Sequence, residues 1–274
     1  MRPTALLVAT AGALLALAEP SRTLQLPVKG TALSVELLPV KGSDGAIAVW
    51  LERTEVPWEL LDAFVYGRDE KAGPAEADAV AKPTKPYISV DRGFGHAGFP
   101  ALSINVETAQ RFCDWMSAKT GRRFRLPRVK ELQSLCGDAL PGQPPLDQRA
   151  WHAGNCGGTT HRVGSARPDA LGFSDLLGNV AEWAIDQDGK PVLWGGSYVD
   201  AAKDLSCARV QPPVEAWNDT DPQVPPSKWW LADAPFAGLR LACEPIPGDN
   251  AVGAAPKPDR KSTRLNSSHV SESR

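Results

Sequence analysis

The chain has 274 residues, enough for one large domain or two small ones with a substantial apolar core, since 42 % of it is hydrophobic. Its 30 lysines and arginines against 32 aspartates and glutamates leave a net charge of -2, with pI near 6.1. No basic cluster is interleaved with aromatics, which argues against nucleic acid as a partner.

The first residues, MRPTALLVATAGALLALAEP, place one arginine before an apolar run from Ala5 to Leu17 that ends in Ala16-Leu17-Ala18. This reads as a secretory signal peptide cut after Ala18, residues 1–18. About 13 apolar residues are too few for a bilayer that needs roughly 20. No later segment is long and apolar enough to span, so a secreted or periplasmic protein without a membrane span is expected. Five cysteines in such a chain predict two disulfides and one leftover thiol, with the pairing left open by the residues themselves.

Residues 19–30 read as a short N-terminal arm. Apolar bursts from Val35 to Val49, broken by Lys41-Gly42-Ser43-Asp44-Gly45, suggest a strand pair. In RTEVPWELLDAFVYG, Trp58, Leu60, Leu61, Phe64 and Val65 recur at helical spacing, with Thr54 or Glu55 near the start. Residues 67–86 are charged and broken by proline, as in a surface loop. NVETAQRFCDWMSAKTG predicts a helix with Asn105 as N-cap and Gly121 closing it, and Cys113 turned inward. A second helix, RVKELQSLCG, sets Val129, Leu132 and Cys136 on one stripe. Further on, EWAIDQDGKPVLWGGS has two apolar runs around Asp188-Gly189, a hairpin signal. AGLRLACE should be the last strand. From residue 246 onward the composition predicts a disordered tail, 246–274. From about Asp259 the sequence looks like translated sequencing-adapter read-through and is set aside. Early helices, late strands and many loops indicate an α+β fold.

Four phrases in order, FCDWMSAKTGRRFRLPRVKEL, THRVGSARPDALGFSDLLGNVAEW, VLWGGSYVD and AGLRLACE, resemble the formylglycine-generating enzyme, or sulfatase-modifying factor, family. That resemblance implies a loop-rich C-type-lectin-like fold over residues 31–245. It also implies two disulfides, Cys113 with Cys243 and Cys136 with Cys207, leaving Cys156 over. A structural calcium is implied at Asp175, Gly178, Val180 and Glu182, whose hard oxygens suit Ca2+. A second family site near Asn155 is weakly matched, because its downstream Asp-Gly-Phe run is missing.

Oxidases of this family hold Cu(I) with two further cysteines in the GGS loop, and soft Cu(I) favours thiolates. Here Val199 to Ser206 contain no thiol, so copper and the family's oxidase chemistry are not expected, and no catalytic residue is assigned. The four histidines, His96, His152, His161 and His269, show no HxxxH spacing of the kind expected for a non-haem iron relative. A non-oxidase binding or structural member is therefore the favoured reading. The alternative is a formylglycine-generating-type oxidase or a divergent non-haem iron oxygenase.

The expected contact face joins the GGSYVD loop, with Tyr198 and Asp200, to an insertion carrying Trp217, Trp229 and Trp230. Rigid aromatics bind at low entropic cost, so the insertion suits a protein, peptide or carbohydrate ligand. Asp200 either makes the pocket floor anionic, suiting a cationic or hydroxyl-rich ligand or a hard cation, or caps the next turn or pairs with Arg209 or Lys203. Asn218-Asp219-Thr220 is also a glycosylation sequon in a eukaryotic secretory pathway.

Overall fold

A computed structural model describes residues 22–67, 91–136, 140–218 and 233–250. The chain begins with β1 (Leu24–Pro27), β2 (Ser34–Lys41) and β3 (Ile47–Glu52), an antiparallel meander whose second turn is the predicted Lys41–Gly45 cluster. β1 lies where only an arm was expected. Its Leu-Gln-Leu-Pro alternation pairs Leu24 with Leu37 and Leu26 with Val35, so a four-residue segment suffices for an edge strand.

Helix α1 (Trp58–Val65) starts behind Pro57, which fits a helix entrance because proline has no N–H to leave unpaired there. Helix α2 (Val106–Thr120) is bounded as predicted. The Asn105 side chain accepts from Thr108 N at 2.9 Å, and Gly121 closes the helix in the left-handed conformation, φ 73°. β4 (Phe124–Arg125) then leads to α3 (Val129–Leu135) and the short α4 (Leu146–Arg149). The predicted hairpin is β5 (Ala181–Ile185) and β6 (Pro191–Trp194), followed by β7 (Val210–Gln211).

The last strand differs from expectation, because AGLRLACE forms two strands in two sheets. β8 (Ala237–Gly238) joins the four-stranded sheet β7-β6-β5-β8, while β9 (Ala242–Cys243) joins the five-stranded sheet β1-β2-β3-β9-β4. Between them, Arg240 is fully buried and its guanidinium takes up backbone carbonyls that a continuous strand would leave to a neighbour.

Strand alternation divides the interior into two cores. Val35, Leu37 and Trp50 of the larger sheet face one cluster with α1 and α2, while Leu38, Val40, Val49 and Leu51 face another with α3. The smaller sheet does the same: Ala181, Trp183 and Leu193 turn to the first cluster, and Ala184, Val192 and Trp194 to the second. Residues 246–250, the start of the predicted disordered tail, form an ordered turn. Asp249 accepts from the Trp50 indole at 2.9 Å, from Arg122 at 2.6 Å and from Ile246 N at 2.9 Å, a set of bonds that holds the turn on the core. The predicted surface loop beyond Gly67, Trp229, Trp230, and the tail beyond residue 250 lie outside the described residues.

Candidate functional site

The LLGNVAEW segment, which runs into β5, is held from several sides. Gly178, at φ 81°, approaches Trp151 so closely that a Cβ would stand 2.2 Å from the Trp151 carbonyl oxygen. Glycine is therefore required there. Asn179 donates through its backbone N to the same carbonyl at 2.8 Å, and its side-chain oxygen accepts from His161 N at 2.9 Å. Glu55 binds the loop from the other side, taking Val180 N at 2.9 Å and the Asn179 amide at 2.7 Å. Asp175 Oδ2 accepts from Gly164 N at 2.6 Å.

Arg240 is the hub. Its Nε donates to Glu182 Oε1 at 2.8 Å, and its terminal nitrogens donate to the carbonyls of Glu52, Ser174 and Asp175 at 2.9, 2.8 and 3.1 Å. Four buried carboxyl groups, Glu52, Glu55, Asp175 and Glu182, thus surround one guanidinium. Burial pushes the Glu52 carboxyl up to about 8 and that of Asp175 up to about 6, with Arg240 opposing in both. Burial, with the neighbouring Asp175 and Glu182 charges, holds Glu55 well above the usual carboxylate range, and burial raises Glu182 as well.

A pH dependence follows for Glu52. The folded group keeps its proton to about pH 8 while the unfolded one loses it near 4.5, so unfolding releases a proton between those values and rising pH favours the unfolded chain. In a chelator-containing buffer, urea unfolding should show stability falling between pH 5 and 8. Glu52→Gln should lessen the slope by about 1.4 kcal/mol per pH unit. An unchanged slope would mean that Glu52 is ionised in the fold.

The donor set expected for calcium can be tested on its own atoms. Asp175 Oδ1 and Glu182 Oε2 are both buried without a hydrogen-bond partner among the described residues. Orphaned buried carboxylate oxygens are costly unless a cation or proton meets them. Carboxylate oxygens of this kind are the hard donors that Ca2+ takes. Among the described residues, no group of three or more His, Cys, Asp or Glu side chains is arranged to hold a metal, so such an ion would depend on backbone oxygens for its remaining bonds. Asn155 has other work: its side-chain oxygen accepts from His152 N at 2.8 Å and its amide donates to Ala150 O at 3.0 Å, which fastens the Gly-rich turn.

The GGS turn is fastened to the same loop by a 2.9 Å bond from Tyr198 N to Asn179 O. Cys156 supports it too, donating to Tyr198 O at 3.3 Å. Tyr198 is buried, edge-on to Phe94, and turns away from solvent. Asp200 differs from the expected anionic floor. Its Oδ2 takes Ser197 N and Oγ at 2.8 and 3.1 Å, and its Oδ1 takes Arg209 at 2.5 Å, so the charge is balanced locally. Beside this pair lies a cavity of about 170 Å3. Ala181, Leu193 and Phe236 form its apolar wall, and Val199, Asp200, Arg209 and Gln211 stand around it.

Trp217 does not open a groove. It is 8 % exposed and packs edge-on against Trp183 and Phe236, with centroids 6.2 and 5.7 Å apart. The disulfide between Cys136 and Cys207 is formed. The other expected bridge is not: Cys113 and Cys243 are separate buried thiols. Cys243 instead lies beside the Arg122 guanidinium, while Cys113 sits in the apolar core with burial pushing its thiol up. His152 and His161 also stay apart in role, the first bonded to Asp147 at 2.8 Å and the second stacked on Trp151 at 3.7 Å.

Sequence reasoning missed Glu52, Glu55 and Arg240. A charged residue inside an apolar run, as in VWLERTEV or AGLRLAC, was the available signal, because a strand buried on both faces admits such a residue only with a partner.

No curated protein matches the sequence. Among solved structures, Treponema denticola variable protein 1 is 19 % identical with a TM-score of 0.54, covering 81 % of this chain and 99 % of that one. PvdO from Pseudomonas aeruginosa is 17 % identical with a TM-score of 0.55, covering 83 % and 99 %. At these identities the likeness shows the shared fold, the C-type-lectin-like α+β architecture. The family model of the sulfatase-modifying factor enzyme 1-like domain matches residues 47–225, well over half of the chain, and the chain belongs to that family.

Proposed function

We propose that this chain is an exported, calcium-supported member of the sulfatase-modifying factor family that acts by binding a ligand beside its GGS turn and does not perform the family's copper-dependent thiol oxidation. One observation carries this reading. Cys207, the one sulfur in the loop after the turn, is bonded to Cys136, and Asp200 is paired with Arg209 at the edge of a cavity. A pair of thiolates for Cu(I) has no source in that loop. Export is supported by the apolar run ahead of Ala18 and by the disulfide, which persists in oxidising compartments. Among the described residues no helix is long and apolar enough to cross a membrane.

The test is metal analysis of the protein purified from its own export compartment, with the mature N-terminus read by intact mass. About one calcium per chain, without stoichiometric copper or iron, and a chain beginning at Glu19 are expected. Stoichiometric copper or iron would overturn the binding reading in favour of an oxidase or oxygenase.

Calcium would supply charge neutralisation and cross-linking of the loop, held by Asp175, Gly178, Val180 and Glu182. At a free concentration a hundred times its Kd, it would contribute about 2.7 kcal/mol. Chelation should then lower Tm by about 5–10 °C. Asp175→Asn should remove that response. Thermal melts with and without chelator check it, and equal Tm values would exclude the ion from this loop.

A further inference from the structure

The cavity beside the GGS turn has spare valence of one kind. Asp200 is satisfied by Ser197 and Arg209, whereas Arg209, with five N–H donors, gives one bond to Asp200 and a long one, 3.5 Å, to Asp204 O. Gln211 makes no side-chain hydrogen bond among the described residues, so its amide group is a further donor at the cavity. The guanidinium is also fixed in place. A Cβ on Gly196 would stand 3.1 Å from Arg209 Cδ and 3.3 Å from its Nε, so the glycine is what lets the arginine lie over the turn.

The apolar wall stands beside these donors for a reason of register. Leu193 is paired with Gln211 across β6 and β7, so their side chains share one face, and Ala181 lies on the same face of β5 as Trp183, which is paired with Leu193. Phe236, immediately before β8, completes the wall. At about 170 Å3, the space is comparable to the roughly 150 Å3 apolar cavity that accepts benzene.

We infer that this pocket takes a small carboxylate bearing one apolar group, the size of a branched aliphatic side chain, with the carboxylate received by Arg209 and Gln211 and the apolar group against Leu193, Ala181 and Phe236. Donors beside an apolar wall match such a ligand, since guanidinium and carboxylate pair through two parallel bonds. A cationic ligand would have to displace Arg209 from Asp200. The inference rests on the binding reading above and narrows its ligand. The same chemistry is found in a free acylated amino acid and in the C-terminal residue of a peptide.

Three probes separate the possibilities in calorimetry and in amide chemical shifts of the calcium-loaded mature protein: N-acetyl-L-leucine, N-acetyl-L-leucinamide and the peptide Ala-Ala-Leu with a free C-terminus. The carboxylate should bind at least about 10-fold more tightly than the amide, the weight of one charge-assisted bond. Gln211→Leu should weaken it several-fold. Val199→Trp, changing a half-exposed residue at the cavity, should abolish binding without moving Tm. Tighter binding of the tripeptide than of N-acetyl-L-leucine supports the inference with a peptide terminus as the source, and the reverse order supports it with a free acid. Equal affinity for acid and amide overturns it, as does binding that survives Val199→Trp or the failure of every probe to bind. Those failures leave the broader reading standing, because metal analysis decides that one separately.

Discussion

Replacing Arg240 by methionine is expected to cost about 3–5 kcal/mol of stability, the range for breaking a buried ion pair from one side. Methionine fills much of the volume, so lost packing is a small part of this. The cost comes from what is left behind: Glu182 loses its charge partner, and the carbonyls of Glu52, Ser174 and Asp175 lose their donors in an interior without water access. Unfolding by urea in chelator measures it. A charge-neutral partner isolates the cause, since Glu182→Gln in the Arg240→Met background should recover part of the loss by removing the uncompensated charge. A loss below about 1 kcal/mol would show that the carboxyls are already neutral and that Arg240 contributes only hydrogen bonds.

The parts of this fold that sequence made legible are those governed by local chemistry. Asn105 and Gly121 bound α2 because a side-chain acceptor and a left-handed glycine satisfy the backbone groups left unpaired at a helix's two ends. Asp188-Gly189 marked the β5–β6 hairpin for the same kind of reason, since Gly189 adopts φ 79°. Cys113 was placed inward by helical period alone, and it is buried.

What was not legible depends on distant partners. Glu55 lies outside any helix and 125 positions from the Val180 N–H that it accepts, a separation that no periodicity reports. The change of sheet around Arg240 needs both sheets to be in place. Trp217 resembled a contact residue because its local sequence is polar and proline-rich, but the aromatic faces of Trp183 and Phe236 cover it. In the candidate site, the resemblance singled out Asp175 and Glu182, and each has one buried carboxylate oxygen without a hydrogen-bond partner among the described residues. For Asp200 the sequence left a ligand role and a pairing with Arg209 equally open, because only the folded turn brings the two residues, nine positions apart, together.

The disulfide between Cys136 and Cys207 should matter to the pocket as well as to stability. It joins the end of α3 to the loop just ahead of Arg209, across a sequence separation of 71 residues. Closing a loop of that length removes unfolded-state entropy worth about 4 kcal/mol in the chain-entropy account. The double variant Cys136→Ala and Cys207→Ala is therefore expected to lose about 2–5 kcal/mol, with the midpoint of urea unfolding as the measure. Its fold should survive at low temperature, because Trp194 still donates through its indole to Cys207 O at 2.8 Å, and Leu205 still packs in the second core. The local consequence should be larger than the global one. Arg209 is held by Asp200 on one side and, two residues earlier in the chain, by the disulfide on the other. Without the bond, residues 202–209 should exchange their amide hydrogens by local opening at free energies below that of global unfolding. Hydrogen exchange that slows or speeds uniformly across β5, β6 and this loop would show that the disulfide acts on the unfolded chain alone and does not position Arg209.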